Sequence, residues 1–513
     1  MRRRKWKFQK FQHNNNVTKE KDSETKNDKT YISKDVKVNE EIIKERVGIG
    51  VSFDTGVRTL NILGREIQIY YVNGLCDMVA ITELLKELMK LDVRDRETPY
   101  VREAIENHLT HVQVEYKDNI EDCITDMLSG LVFILVDGEE KAFVLDVRNY
   151  PGRSPEEPDN EKVVRGARDG YTENIIENTG LTRRRVRDER LRHEILQVGV
   201  RSKTDICISY IEDIADPDLV DIVRKELESI DIDGLPMADK VVEEYIVNQG
   251  GNPFPLVRYT ERPDVAAVHL YEGHVIIMVD ASPSVIITPT TFFHHVQHAE
   301  EYRQAPFIGT YLRWTRFFGM FVSLFILPLW LLMVLEPQLL PDALDYVGPN
   351  EDSNVSEFMQ IAIAEFGIEL MRMAAIHAPS PLTTALGLVA ALLVGQIAVE
   401  VGLFTSEVIL YVALAAVGTF ATPSYELGIA VKIFRFILLI AVVSFQLPGF
   451  VIASTILLLL LVSIRSMNKP YMWPFLPFDG QALWQILIRT TVPNLRRRPS
   501  IVDPQDPVKQ SPE

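Results

Sequence analysis

The chain has 513 residues, with 54 basic against 71 acidic side chains and a formal charge of −17. That balance excludes nucleic acid as the main partner, because phosphate contacts need a basic face. Hydrophobic residues make up 47% but are unevenly spread, with a polar, acidic front ahead of a C-terminal third that carries few charges, and about three units are expected at this length.

Residues 1–45 are rich in Lys, Asn, Asp and Glu without periodic apolar positions, which predicts a disordered arm. Its start, "MRRRKWKFQKFQHNNN", has positive charge but no apolar run behind it, so it does not read as a secretory signal. The basic tip reads as a solvated tail, or as a contact with anionic lipid at about 1 kcal/mol per charge. Cys76, Cys123 and Cys207 are isolated, so no disulfide framework or cysteine metal site is expected; all three read as small buried apolar residues in a reducing compartment.

Residues 46–304 carry the pattern of a cytoplasmic α/β region of one or two small subdomains. "DMVAITELLKELMKLD" predicts an amphipathic helix with Val79, Leu84, Leu85, Leu88 and Leu91 as its apolar positions. "LVFILVDGEEKAFVLDVRN" predicts a hairpin around Asp137-Gly138, and "EGHVIIMVDASPSVIITP" repeats that design. "TDICISYIED" reads as a buried strand, and the helix after it should be capped by Asp216 with Pro217 in its first turn.

Between the hairpins lies "VVRGARDGYTENIIENTGLTRRRVRD", residues 163–188. Gly166 and Gly170 together with Arg183, Arg184 and Arg185 raise the question of phosphate binding. The acids Asp169, Glu173, Glu177, Asp188 and Glu189 are interleaved with the bases, and no Gly-Lys-Ser or Gly-Lys-Thr follows, so ion pairing is the better reading.

The membrane domain is expected over 305–466. Phe317 to Leu335 is free of charge and long enough, at ~1.5 Å per residue, to cross a ~30 Å hydrocarbon core. Further spans are predicted at about 359–376, 382–399, 408–422, 427–446 and 450–465, the last two joined by a turn at Pro448-Gly449. The segment 359–376 carries Glu365, Glu369 and Arg372 on one helical face, which should meet protein or water rather than lipid. Arg303, Arg313 and Arg316 ahead of the first span, and the basic tail 467–513, favour six spans with both termini cytoplasmic. Lys432 and Arg435 then fall near an inner interface.

The motifs "RGARDGYTENIIENTGLTRRRVRD", "VGVRSKTDICISYIEDIADPDLVDIVRKELESIDIDG", "NPFPLVRYTERPD" and "EGHVIIMVDASPSVIITPTTFF", followed by a multi-span tail, closely resemble the A subunits of GerA-type spore germination receptors. The resemblance runs over about residues 46–490. It implies a multi-pass protein of the inner spore membrane with its N-terminal region facing the core. It also implies assembly as a pentamer-like ring of identical subunits that conducts cations during germination and works with another membrane protein. One departure is local: the family shows Gly-Pro-Arg-Glu-Gly where this chain has Gly166-Ala167-Arg168-Asp169-Gly170, losing a preset turn and shortening an ion-pair partner.

The candidate ion-pathway residues are Glu365, Glu369, Arg372, Gln396 and Glu400, which repeated around a ring would form acidic belts. Ion pairing between neighbouring helices is the plainer alternative. Arg168, Asp169, Glu173, Arg183, Arg184 and Arg185 are expected to hold subdomains or neighbouring subunits together. "HHVQH" puts His294 and His298 on one helical face near Glu301, a weak zinc pattern without a fourth ligand, and no metal or other cofactor is expected. "RYTERPD", residues 258–264, lacks a nucleophile and reads as a turn lock, so no enzyme activity is expected. The alternative to a channel is a non-conducting membrane scaffold for germination receptors.

Overall fold

The computed structural model describes residues 30–91, 103, 105–106, 114–150, 165–247, 249–340, 348, 354–377 and 397–510. Its soluble part is one topology built twice. The first repeat runs α1 (Val36–Val47), β1 (Thr55–Ile62), β2 (Arg65–Val72), α2 (Met78–Met89), β3 (Val114–Lys117), α3 (Ile120–Leu128), β4 (Val132–Val136) and β5 (Ala142–Leu145). Its five strands form an antiparallel sheet in the order β1-β2-β4-β5-β3.

The second repeat runs α4 (Ile175–Arg185), β6 (Leu191–Val198), β7 (Thr204–Ile211), α5 (Pro217–Glu228), α6 (Ala238–Ile246), β8 (Arg258–Thr260), α7 (Pro263–Glu272), β9 (Val275–Val279) and β10 (Val285–Thr288). Its sheet order, β6-β7-β9-β10-β8, is the same pattern. The α/β expectation and the two-subdomain alternative are therefore met, and the two matching sequence hairpins are the equivalent pairs β4–β5 and β9–β10.

Local chemistry sets these elements. Asp77 caps α2 and Asp216 caps α5, each side chain accepting backbone N–H groups, with Pro217 opening α5 as expected. Gly138 adopts φ +89° in the first hairpin turn, a conformation that favours glycine. In α2 the buried face is Ile81, Leu84 and Leu88, while Val79 is exposed. The three cysteines are free and buried.

The arm expectation is corrected at its end. Residues 36–45 belong to α1, capped by Asp35 and packed through Val36, Ile43 and Val47 against α3 and the first sheet. Polar composition hid these widely spaced apolar positions. Residues 1–29 lie outside the described residues.

The first sheet carries α2 on one face and α1 and α3 on the other. The second carries α4 and α7 on one face and α5 and α6 on the other. That last core does not stop at the soluble part. It continues through Phe254, whose ring stacks on Phe434 at 5.2 Å, into Leu427, Val431, Leu457 and Leu461 of the C-terminal helices.

A short helix α8 (Ala299–Arg303) leads into α9 (Pro306–Leu335), followed by α10 (Glu357–His377), a helical turn Ala398–Glu400, α11 (Ser406–Phe420) and α12 (Tyr425–Ser463). Two of these, α9 and α12, are long and apolar enough to cross a membrane. α12 is two helices meeting at Gln446, whose backbone is non-helical at φ 51° and ψ −133°. The chain doubles back there, and a side chain at Gly449 would lie 2.0 Å from the Ala441 carbonyl oxygen. The sequence-predicted turn at Pro448-Gly449 is thus present.

Contacts give each helix a direction. α9 leaves the soluble part at Pro306 and ends beside the α12 bend, where the Leu447 N–H faces Glu336 Oε1 at 3.4 Å. α10 begins at the far end, where Gln360 accepts from the Thr405 N–H at 2.8 Å, and finishes with Arg372 over the Tyr425 ring at the soluble end. α11 runs the same way, and its Gly418 meets Gly319 of α9 so closely that a Cβ would lie 2.3 Å from the Gly319 oxygen. The predicted span 382–399 lies outside the described residues except for its last three.

The tail returns to the soluble part. α13 (Gly480–Leu487) lies against the start of α9, where Arg313 donates to the Gln485 and Ile486 carbonyls at 2.8 Å each. Beyond it, Gln505 is bonded to Ile214, Glu212 and Ala215.

Candidate functional site

Inside the helical domain α10 and α12 present complementary charges. Glu365 and Glu369 are four residues apart on α10, and Lys432 and Arg435 are three apart on α12, so each pair occupies one helical face. Arg435 Nη2 lies 2.9 Å from Glu365 Oε2, and its Nη1 donates to the Ser323 carbonyl of α9 at 2.7 Å. Lys432 Nζ lies 2.8 Å from Glu369 Oε2 and 3.2 Å from Glu365. Arg372 pairs with Glu369 one turn on.

Glu365 and Arg435 are each 1% exposed. An isolated charge in such a place is very costly, and removing one partner of a buried pair typically costs ~3–5 kcal/mol. The network ties α9, α10 and α12 together, and Ser323 extends it to Thr419 of α11 at 2.7 Å. The structure thus brings Glu365, Glu369 and Arg372 together, with each acid already neutralised. Arg435 is buried inside the bundle, where Glu365 and the Ser323 carbonyl supply its partners. Sequence reasoning about the ion pathway misses Lys432 and Arg435, whose i, i+3 spacing places them on one face as the i, i+4 spacing does the two acids. Glu400 is exposed in its helical turn, at the end where Gln360 meets Thr405. Gln396 lies outside the described residues.

A second buried ion pair joins the two soluble repeats. Arg183, fully buried, holds Asp54 through Nε at 2.9 Å and Nη2 at 3.1 Å, and also donates to the Leu191 carbonyl at 3.1 Å. Asp54 precedes β1, so the pair crosses between repeats. Burial raises the Asp54 carboxyl, but the Arg183 guanidinium, the His193 ring and the Ser52 hydroxyl together outweigh it and hold the group below the ordinary carboxylate range. His193 packs beside this pair, its Nδ1 2.7 Å from Ser209 Oγ, and burial pushes its pKa down to about 4.

The other arginines divide the work. Arg185 holds Asp169 at 2.7 Å, and Arg184 lies over the Tyr150 ring at 4.5 Å. All three arginines fall in the last turn of α4, where cations complement the helix dipole. Arg183 and Arg185 are already held by Asp54 and Asp169, as the ion-pair reading of 163–188 expects. Arg168 and Glu173 are exposed.

The "RYTERPD" segment acts as a lock. Arg262 holds Asp264 at 3.0 Å and the Ala167 carbonyl at 2.9 Å, joining it to the Gly166–Gly170 loop. The histidine pattern departs from expectation: His294 lies in a 3-10 turn among His269 and His274, at ring distances of 5.8 and 5.3 Å, whereas His298 caps α8. The single helical face needed for a zinc pair is absent because Val296 ends one turn and His298 starts another element. Nearby, Glu301 is buried between Arg313, at 2.7 Å, and Arg316.

A family model described as Bacillus/Clostridium GerA spore germination protein matches residues 41–501. Stage V sporulation protein AF of Bacillus subtilis (strain 168) is 58% identical over 94% of this chain and 98% of its own length. Spore germination protein KA of the same organism is 29% identical over 91% of this chain and 87% of its own. The crystal structure of the N-terminal domain of the A subunit of the Bacillus megaterium spore germinant receptor GerK3 is 30% identical, covering 52% of this chain and 98% of that one with a TM-score of 0.41. With its family model matched over nine-tenths of its length, the chain is a member of the GerA family of spore germination proteins.

Proposed function

We propose that this chain is an integral subunit of a spore germination complex in the inner spore membrane, where identical copies form a ring that conducts cations out of the core. The observation that carries the reading is the five-charge network of Glu365, Glu369, Arg372, Lys432 and Arg435 in the helical domain. Ionisable side chains at such depth are retained where ions pass or a register must be held. Opening would separate α10 from α12 and free the carboxylates to face a cation path.

Six crossings fit the helix directions. α9 runs outward and α10 back, the turn Ala398–Glu400 lies at the far end, α11 returns, and the two halves of α12 go out and back. The docked tail then lies on the same side as the soluble repeats, in keeping with two cytoplasmic termini. The names of the relatives, a stage V sporulation protein and a spore germination protein, support the setting. Exposed Arg168 is left for a neighbouring copy, and a second membrane protein is the expected partner for conduction.

The neutralised state of both acids favours a second reading, a non-conducting scaffold held in register by its ion pairs. Flux measurements on the full chain in liposomes separate the two. Cation efflux from wild-type vesicles, reduced in Glu369→Gln while oligomer size is unchanged, is the channel outcome. Absence of efflux with and without co-reconstituted germination membrane proteins overturns it.

A further inference from the structure

The returning tail carries a surface that nothing above uses. From Pro470 to Ile488 the sequence holds a single charge, Asp479, and five aromatic residues. Asp479 is engaged, capping α13 through the Gln481 and Ala482 N–H groups and accepting from Ser500. Tyr471, Trp473 and Ile486 anchor the segment by burial, yet Phe475, Leu476, Phe478, Trp484 and Leu487 face outward, Phe478 at 72% and Trp484 at 59% exposure. A segment whose one charge is engaged and which exposes this much aromatic area is ill suited to water.

Its position says what covers it. The charge-free run of α9 opens at Phe317, so Trp314, three residues earlier, lies ~4.5 Å below the hydrocarbon boundary by helical rise. Trp314 Nε1 donates to the Leu487 carbonyl at 2.8 Å, which fixes the end of α13 at that level. The Phe475 ring lies 5.4 Å from Phe293, which in turn lies 6.2 Å from Phe317. Trp314 and Phe318 are themselves exposed, so the patch runs without a break onto the outward face of α9. Aromatic side chains with a polar handle settle where headgroups meet acyl chains.

The geometry points to a lipid surface as the partner: the segment 475–487 lies in the plane of the bilayer interface on the soluble side, forming a collar around the foot of α9. The inference rests on the reading that α9 crosses the bilayer. A collar of this kind is an interfacial helix, held down by apolar side chains and by its bonds to a span.

The test uses the full chain in phosphatidylcholine–phosphatidylglycerol vesicles with nitroxide labels at Trp484→Cys and Phe478→Cys, both exposed positions. Controls are Phe321→Cys on α9 and Met237→Cys on the second repeat. The expected result is a ratio of oxygen to nickel-chelate collision at positions 478 and 484 several-fold above that at 237 and approaching that at 321. Labels at 478 and 484 that behave like 237 while 321 reads as lipid overturn the collar and leave the span intact. A 321 label in water removes the span reading itself. Labels shielded from both reagents, with broadening lost on dilution by unlabelled chain, assign the patch to a second copy and also overturn the inference.

Discussion

Arg183→Met removes one half of the buried pair that joins the soluble repeats. The substitution leaves Asp54 charged and buried, with only Ser52 Oγ, at 2.7 Å, still donating to its carboxylate. Stranding one partner of such a pair costs ~3–5 kcal/mol, and at ~1.4 kcal/mol per decade this means local opening roughly two to four decades more frequent. Hydrogen–deuterium exchange on the full chain in detergent micelles reads that opening directly, in peptides covering Thr55–Ile62 and Ile175–Arg185. The double variant Asp54→Leu, Arg183→Met removes both charges and should recover most of the protection, less ~1–2 kcal/mol for the carbonyls that lose a donor. Equal exchange in the single and double variants would refute the claim that a stranded charge is the dominant cost.

Gly418→Leu places a Cβ 2.3 Å from the Gly319 oxygen, so α9 and α11 must move apart, and a lower melting temperature in detergent is expected from overpacking of ~1–3 kcal/mol or more. Burial depresses His193 and His274 to about 4 and His295 to about 3. The unfolded chain takes up these protons below ~6.5 while the folded chain does not, so stability is full above that pH and falls as pH drops toward 4, by about 1.4 kcal/mol per histidine at pH ~5.5. A melting temperature independent of pH between 7 and 5 would contradict this. Arg313→Gln leaves buried Glu301 with Arg316 as its remaining charge partner and frees the Gln485 and Ile486 carbonyls, so limited proteolysis should release the tail sooner than in wild type. Arg168→Glu should shift the oligomer toward smaller species by light scattering, and an unchanged assembly removes Arg168 from the subunit contact.

Local features were legible because their causes are local. Asp216-Pro217 announced a helix start, Asp137-Gly138 a hairpin, and Pro448-Gly449 a reversal within an apolar run. The pairing of Arg372 with Glu369 followed from helical spacing. What stayed hidden depends on distance along the chain. Arg183 finds Asp54 129 residues away, and Arg435 finds Glu365 70 residues away. The doubled topology was visible only at its second hairpins, since the remaining strands share an order rather than a side-chain pattern. The packing of the tail had no local signal: "YMWPFLPFDG" carries the prolines of a loop, and it is the contacts of Tyr471 with Phe254 and of Phe475 with Phe293 that make it a packed element.

The docking of α13 also sets a clock on synthesis. Arg313 enters the chain 173 residues before the Ile486 carbonyl that accepts from it. At ~5–20 residues per second the ribosome needs about 10 to 35 s to supply that acceptor. Through that interval α9 has its charge partner Glu301 but lacks the two carbonyls that complete its foot, and the second repeat lacks Gln505. Native closure of the molecule is therefore reserved for the end of translation, and a chain terminated before Gly480 would never supply the two carbonyls that receive Arg313.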